Sequence, residues 1–314
     1  MDNNNDNWAR ETIKQIALTQ VTEQRRARRW GIFFKFLGFM YLFAILMLIK
    51  FDWGHDDLMG ETKKHTAVVD VKGLIASNTE ASAEKIIKAL KAAFKDEKTA
   101  GVIVRINSPG GSPVQANYIY QEMQRLRKEY PKIPLYAVVT DLCASGGYYI
   151  AVGAEKIFVD KSSLIGSIGV VMSSFGFVNT LEKLGVERRL FTAGENKGFL
   201  DPFSPQKDEE VNHVKTLLTQ LHDNFINVVK EGRGDRLQLS NEKLFSGFIW
   251  AGEEAIKLGL VDDISTTQQV AKDLIKEEKL VNFTPRRDIL ERMAERMSTS
   301  IAEWVMFTQF GATP

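Results

Sequence analysis

From His65 onward the chain alternates short apolar runs of strand character with stretches of helical periodicity. Strands separated by helices are joined by crossovers, so this order favours an α/β domain built on a mostly parallel sheet. The strand-like runs are Ala67–Ile75, Gly101–Asn107, Leu135–Thr140, Lys156–Val159 and Arg189–Thr192. Helical periodicity covers Ser82–Phe94, Val114–Glu129 and Gln206–Lys230. In the last of these, Val211, Val214, Leu218, Leu221, Phe225 and Val228 recur at threes and fours and form one apolar face. No internal repeat is visible, and the domain is expected to span residues 65–282, closing after the segment SGFIWAGEEAIKLGLVDDI.

Upstream, Gly31 to Ile49 reads GIFFKFLGFMYLFAILMLI, apolar apart from Lys35. About twenty such residues as a helix cross a hydrocarbon core of roughly 30 Å, and Lys35, near one end, can snorkel to the surface. A transmembrane anchor is therefore expected over residues 31–50. Arg25, Arg26, Arg28 and Arg29 precede it and Asp52, Asp56 and Asp57 follow. That bias puts the N-terminal segment 1–30 in the cytoplasm and everything beyond residue 50 across the membrane. A buried core helix is the competing reading, against which stands the length of a run apolar all round. A cleaved signal peptide fits less well, because no small-x-small site follows the run. Residues 51–64 read as a polar linker. The tail, 283–314, carries a second stripe of Ile289, Met293, Met297, Ile301 and Val305 flanked by Arg286, Arg287, Arg292 and Arg296. It suits packing on a protein surface or, alternatively, lying on a membrane.

A net charge of +1 argues against a nucleic-acid partner. A single cysteine, Cys143, rules out an intramolecular disulfide framework, and four histidines show no metal-ligand spacing. No metal and no cofactor are expected.

Two glycine-rich turns stand where chemistry could sit. Asn107-Ser108-Pro109-Gly110-Gly111-Ser112 follows the run GVIVRIN, and a Pro-Gly-Gly turn can aim backbone N–H groups outward. Such donors stabilise an oxyanion, though a plain strand-to-helix turn would use the same residues. Ala144-Ser145-Gly146-Gly147-Tyr148-Tyr149 follows the run LYAVVT. Ser145 is placed as a nucleophile and Gly146 as an oxyanion donor, as with the residue after the nucleophile in other hydrolases. Close packing of a helix on the sheet is the plainer use of these small residues. Cys143 is a rival nucleophile, but no basic neighbour in sequence lowers its pKa.

A serine needs a base. His213 and His222 fall on the long helical stretch and His55 and His65 near the linker, which leaves lysine. Lys197 lies in Glu195-Asn196-Lys197-Gly198, after the run ending at Thr192. An amine accepts a proton only when neutral, and bringing it from about 10.4 to near 7 means disfavouring the ammonium by roughly 4–5 kcal/mol, which desolvation can do.

The ordered motifs NSPGGS (107–112), ASGGYY (144–149), IGSIGV (165–170), ENKG (195–198) and SGFIWAGEEAIKLGLVDDI make residues 66–265 resemble the signal peptide peptidase A family. These are serine/lysine proteases that share the fold of the Clp protease proteolytic subunit and the crotonases. The resemblance implies Ser145 as nucleophile, Lys197 as base, Gly110 or Gly111 with Gly146 as oxyanion donors, and Ser167 as a serine that orients the lysine. It also implies peptide substrates including cleaved signal peptides, a bacterial inner-membrane location with an extracytoplasmic catalytic domain, and a ring-like homo-oligomer. In the family's short form the serine and lysine come from adjacent protomers. Two readings of other kinds compete: a crotonase-like acyl-CoA enzyme, which would not need Ser145 paired with Lys197, and a catalytically silent membrane scaffold. Tyr148 and Met172 are candidates for an apolar substrate pocket, or for ordinary core.

Overall fold

The computed structural model describes residues 14, 24–26, 28–44, 47 and 63–285. The chain divides into two units, parted between residues 62 and 63. In the first, residues 28–44 are helical (α1) and every side chain there is exposed, Trp30, Phe33, Phe36, Phe39 and Tyr41 included. Among the described residues no helix is long and apolar enough to cross a membrane. Of the remainder of the expected anchor only Met47 is described, and residues 51–62 of the expected linker 51–64 and the tail stripe from Ile289 to Val305 lie outside the described residues.

In the second unit the elements run β1 (His65–Lys72), α2 (Ala83–Lys95), β2 (Thr99–Ser108), α3 (Pro113–Glu129), β3 (Leu135–Ala144), α4 (Gly146–Ala151), β4 (Lys156–Val159) and β5 (Leu164–Gly166). They continue with α5 (Val178–Lys183), α6 (Asp208–Arg233), β6 (Ile249–Ala251), α7 (Gly252–Lys257), β7 (Asp263–Ile264), α8 (Thr267–Gln269, extended by a π-helical turn Val270–Ile275) and β8 (Leu280–Asn282). The eight strands make one sheet in the order β6-β5-β3-β2-β1-β8, with β4 on β3 and β7 on β4. Every pairing is parallel except β5–β6. This is the expected α/β class with a mostly parallel sheet.

Parallel strands are covered on both faces, so they read as continuous apolar runs rather than alternating ones. In β2, Val102, Val104 and Ile106 enter the main core with α2 and α3, while Ile103 points to a second cluster with Val138, Phe158, Val270 and Ile275. Helix α2 contributes Ile86, Ala89, Leu90, Ala93 and Phe94, the three-and-four spacing of one buried face.

One expected strand is absent. Residues 186–192 have no regular structure, and Phe191 is 91% exposed. A run of strand-forming residues needs a neighbour to pair with, and among the described residues the Arg189 side chain bonds only to Glu187, two residues before it. The apolar stripe of α6 is covered only in part: Phe225 is buried, Val211, Val214 and Leu218 half-buried, and Leu221 exposed.

Candidate active site

Three turns at the carboxyl ends of β2, β3 and β5 meet at one place. At the first, Ser108 is fully buried; its hydroxyl donates to the Gly73 carbonyl (2.7 Å) and accepts from the Gly110 N–H (3.1 Å). The Pro109-Gly110-Gly111 turn then runs into Ser112, the N-cap of α3, with Pro113 at the first helical position. Gly111 (φ 146°) lies against β1's extension: a Cβ there would stand 2.2 Å from the Ile75 carbonyl oxygen. A side chain at Gly110 (φ 101°) would meet the Gly146 nitrogen and Ser145 Cβ, each at 2.7 Å. The two glycine turns are in direct backbone contact, which no other residue type permits.

At the second turn, β3 passes into α4 through Ser145, whose φ of 51° and ψ of −121° lie where residues with a side chain are rarely found. Its N–H donates to the Gly166 carbonyl (2.8 Å) and its carbonyl accepts from the Tyr149 N–H (3.0 Å). A side chain on Gly146 would come within 3.3 Å of the Gly111 nitrogen, so these two amides are neighbours. Among the described residues, neither N–H has a hydrogen-bond acceptor. Two adjacent unpartnered N–H groups beside a serine are the geometry of an oxyanion hole.

The third turn carries Ser167, also at positive φ (52°), its N–H donated to the Phe248 carbonyl (2.8 Å). The Ile168 carbonyl is 3.1 Å from His222 Nε2 on α6. Ser145, Gly111, Gly146 and Ser167 all line one groove of about 840 Å³, walled by Val114, Tyr118, Tyr149, Val170, Leu221 and Phe225. The structure thus brings Ser145, Gly110, Gly111, Gly146 and Ser167 together. Lys197 is not among them: it sits in an exposed turn, its N–H bonded to the Gly194 carbonyl (3.1 Å), and does not line the groove.

Cys143 is fully buried, and desolvation pushes its thiol well above the ordinary range, so it offers no thiolate to compete with Ser145. Tyr148 does not reach the groove; it is enclosed, with its hydroxyl donated to the Leu260 carbonyl (2.7 Å). Met172 is exposed and not part of the wall either. Tyr149, one residue on, does line it. Periodicity along α3 and α6 marked core faces but not which turns of those helices a cleft would leave open.

Comparison with known proteins matches residues 127–281 to peptidase family S49 and residues 65–164 to Clp protease. The putative signal peptide peptidase SppA of Enterococcus faecium is 32% identical over 256 residues, covering 78% of this chain and 74% of that protein. The probable protease SohB of Haemophilus influenzae is 32% identical over 232 residues, 74% of this chain and 64% of that one. A Brucella abortus protein named Na(+)/H(+) antiporter NhaA is 44% identical over 204 residues, 65% of this chain. The chain spans about a quarter (27%) of that protein's length, and as much of its Brucella melitensis counterpart's. The fold is that of a Clp-protease-like α/β protein. The chain belongs to peptidase family S49, a family of serine proteases.

Proposed function

We propose that this chain is a membrane-anchored serine endopeptidase that degrades cleaved signal peptides and other membrane-proximal peptides, with Ser145 as nucleophile and Lys197 of a neighbouring copy as base. The observation that carries the reading is Ser145 held at positive φ, on the rim of a groove, beside the two unpartnered amides of Gly111 and Gly146. Backbone strain persists only where the surroundings impose it, and it gathers at functional sites. Lys197 Nζ takes the proton of Ser145 Oγ as the oxygen attacks the scissile carbonyl carbon. The resulting oxyanion lies against the two glycine N–H groups. Collapse of the intermediate breaks the C–N bond, the ammonium returns its proton to the leaving amine, and water then hydrolyses the acyl-enzyme in the same manner. Ser167, on the groove wall, orients the amine.

A water-exposed amine is no base at neutral pH, so this chemistry needs the Lys197 turn to be covered. Support for covering by a second copy comes from the segment joining Ser167 to Lys197. Val171, Phe175 and Phe191 are 87%, 77% and 91% exposed, and Met172, Leu184 and Val186 are exposed with them. Apolar surface on this scale belongs to an interface. The anchor is supported by α1, whose side chains are all exposed and, from Trp30 to Ala44, apolar apart from Lys35, and which is continuous in sequence with the run to Ile49. The arginines before it support a cytoplasmic N-terminus and a groove on the outer side of a bacterial inner membrane.

Mixing two inactive variants tests the shared dyad. Ser145→Ala and Lys197→Ala, each at background on a fluorogenic peptide, are expected to regain turnover when co-assembled, because a mixed contact pairs an intact serine with an intact lysine. No recovery in a verified mixed assembly rejects the shared dyad. Turnover in both variants equal to wild type at background level favours a silent scaffold.

A further inference from the structure

We infer that Asn117 binds the substrate backbone, its side-chain amide donating to a peptide carbonyl two residues away from the carbonyl under attack. The inference rests on the peptidase reading above and adds a contact to it. Asn117 stands on α3 one turn beyond Pro113 and lines the groove, where its neighbours on the wall, Val114 and Tyr118, are largely apolar. Its Oδ1 accepts a hydrogen bond from the Tyr149 hydroxyl (3.1 Å). Tyr149 is itself held in place: only 9% exposed, its ring lies 5.2 Å from that of Phe225 and 5.7 Å edge-on to that of Tyr120.

An asparagine amide has one carbonyl oxygen and two N–H donors. With the oxygen committed to Tyr149, the orientation of the group is set, and Nδ2 has no acceptor among the described residues. A fixed donor on an apolar wall is how a cleft orients a polar ligand. Spacing identifies the acceptor. From the N-cap Ser112 to Asn117 the helix advances by five residues, about 7.5 Å at 1.5 Å each, and helical side chains lean back toward the N-terminus. In an extended peptide, carbonyls on the same side recur every second residue, about 6.6–6.8 Å apart. A carbonyl seated on the Gly111 and Gly146 amides therefore has its next same-side neighbour at the reach of Asn117.

The test uses the full chain, an internally quenched apolar peptide, and two versions of it with a thioamide, a weaker acceptor, two residues before or two residues after the scissile bond. In wild type one of the thioamides is expected to lower kcat/KM about three- to tenfold, the worth of one hydrogen bond. In Asn117→Ala that penalty disappears, the thioamide-to-amide ratio returning to about one on the same scale. Taking the ratio within each variant cancels any loss of folded enzyme. Asn117→Asp keeps the acceptor for Tyr149 but turns an anion toward the carbonyl, so it falls below Asn117→Ala on the parent peptide. A thioamide penalty unchanged in Asn117→Ala, or none at either position in wild type, overturns the assignment. Background turnover of the parent peptide by wild type, or full turnover by Ser145→Ala, removes the peptidase reading itself and is a distinct result.

Discussion

Ser145 is held in a backbone conformation that glycine adopts freely and other residues adopt at a cost of about 1–3 kcal/mol. Replacing it by glycine and by alanine separates strain from chemistry. Both variants lack the hydroxyl, so both should lose about 10⁴–10⁶-fold in kcat. Only glycine releases the strain at φ 51°, ψ −121°. Against this gain stands the extra freedom glycine gives the unfolded chain, about 0.4–1 kcal/mol. The expected balance is Ser145→Gly more stable than Ser145→Ala by about 1 kcal/mol, or roughly 2–4 °C in melting temperature for a body of this size. Thermal melts of the two variants side by side, with peptide turnover measured on the same samples, read both quantities. An alanine variant as stable as the glycine variant would falsify the claim that the fold imposes strain here. Turnover surviving in either would refute Ser145 as nucleophile.

Ser108→Ala removes the hydroxyl that ties the Gly110 amide to the Gly73 carbonyl; kcat on the fluorogenic peptide should fall about tenfold or more while KM holds, since loosening the turn that carries the neighbouring Gly111 amide costs the transition state rather than binding. At Gly252 a Cβ would stand 2.1 Å from the Asp160 carbonyl oxygen, so Gly252→Ala should destabilise by about 1–3 kcal/mol or more, read as a lowered melting temperature. Arg233 is 1% exposed and donates to the Gly259 carbonyl (2.8 Å) and the Asp262 carboxylate (2.7 Å). Arg233→Met leaves the Gly259 carbonyl without its donor and the carboxylate with only Arg236 (3.0 Å) and the Ile157 N–H (2.7 Å), and should cost about 1–3 kcal/mol in denaturant unfolding. His65 is buried against Phe283, and desolvation holds its pKa below the ordinary value despite Asp96 nearby. Its unfolded state therefore binds the proton first, so stability should fall as pH drops below about 6.5 toward the lower folded value. His65→Gln should flatten that part of the stability–pH curve, and an unchanged slope would reject the assignment.

The motifs named most of the turns that meet at the groove because tight backbone contact demands particular residues in sequence. Gly110, Gly111, Gly146 and the serines at 145 and 167 lie in short turns between regular elements, and their conformations are local. The same reasoning made Arg189–Thr192 a strand, since local composition says nothing about whether a partner edge is within reach. It also left Asn117 unnoticed, and gave no role to Tyr149 within its motif or to His222 on the long helical stretch. Their roles depend on α3, α4 and α6 being brought together by burial of distant residues, and an isolated asparagine on a helix has no pattern to mark it.

What the linear order of residues determined is the class of sheet, the glycine turns and the identity of the serine within them, because these follow from periodicity and from what a missing Cβ allows. Only the folded chain decided that the two free amides are neighbours, that Cys143 is sealed from solvent, and that Lys197 stands outside the groove. Those are consequences of which surfaces the core buries, a property of the whole chain rather than of any stretch of it.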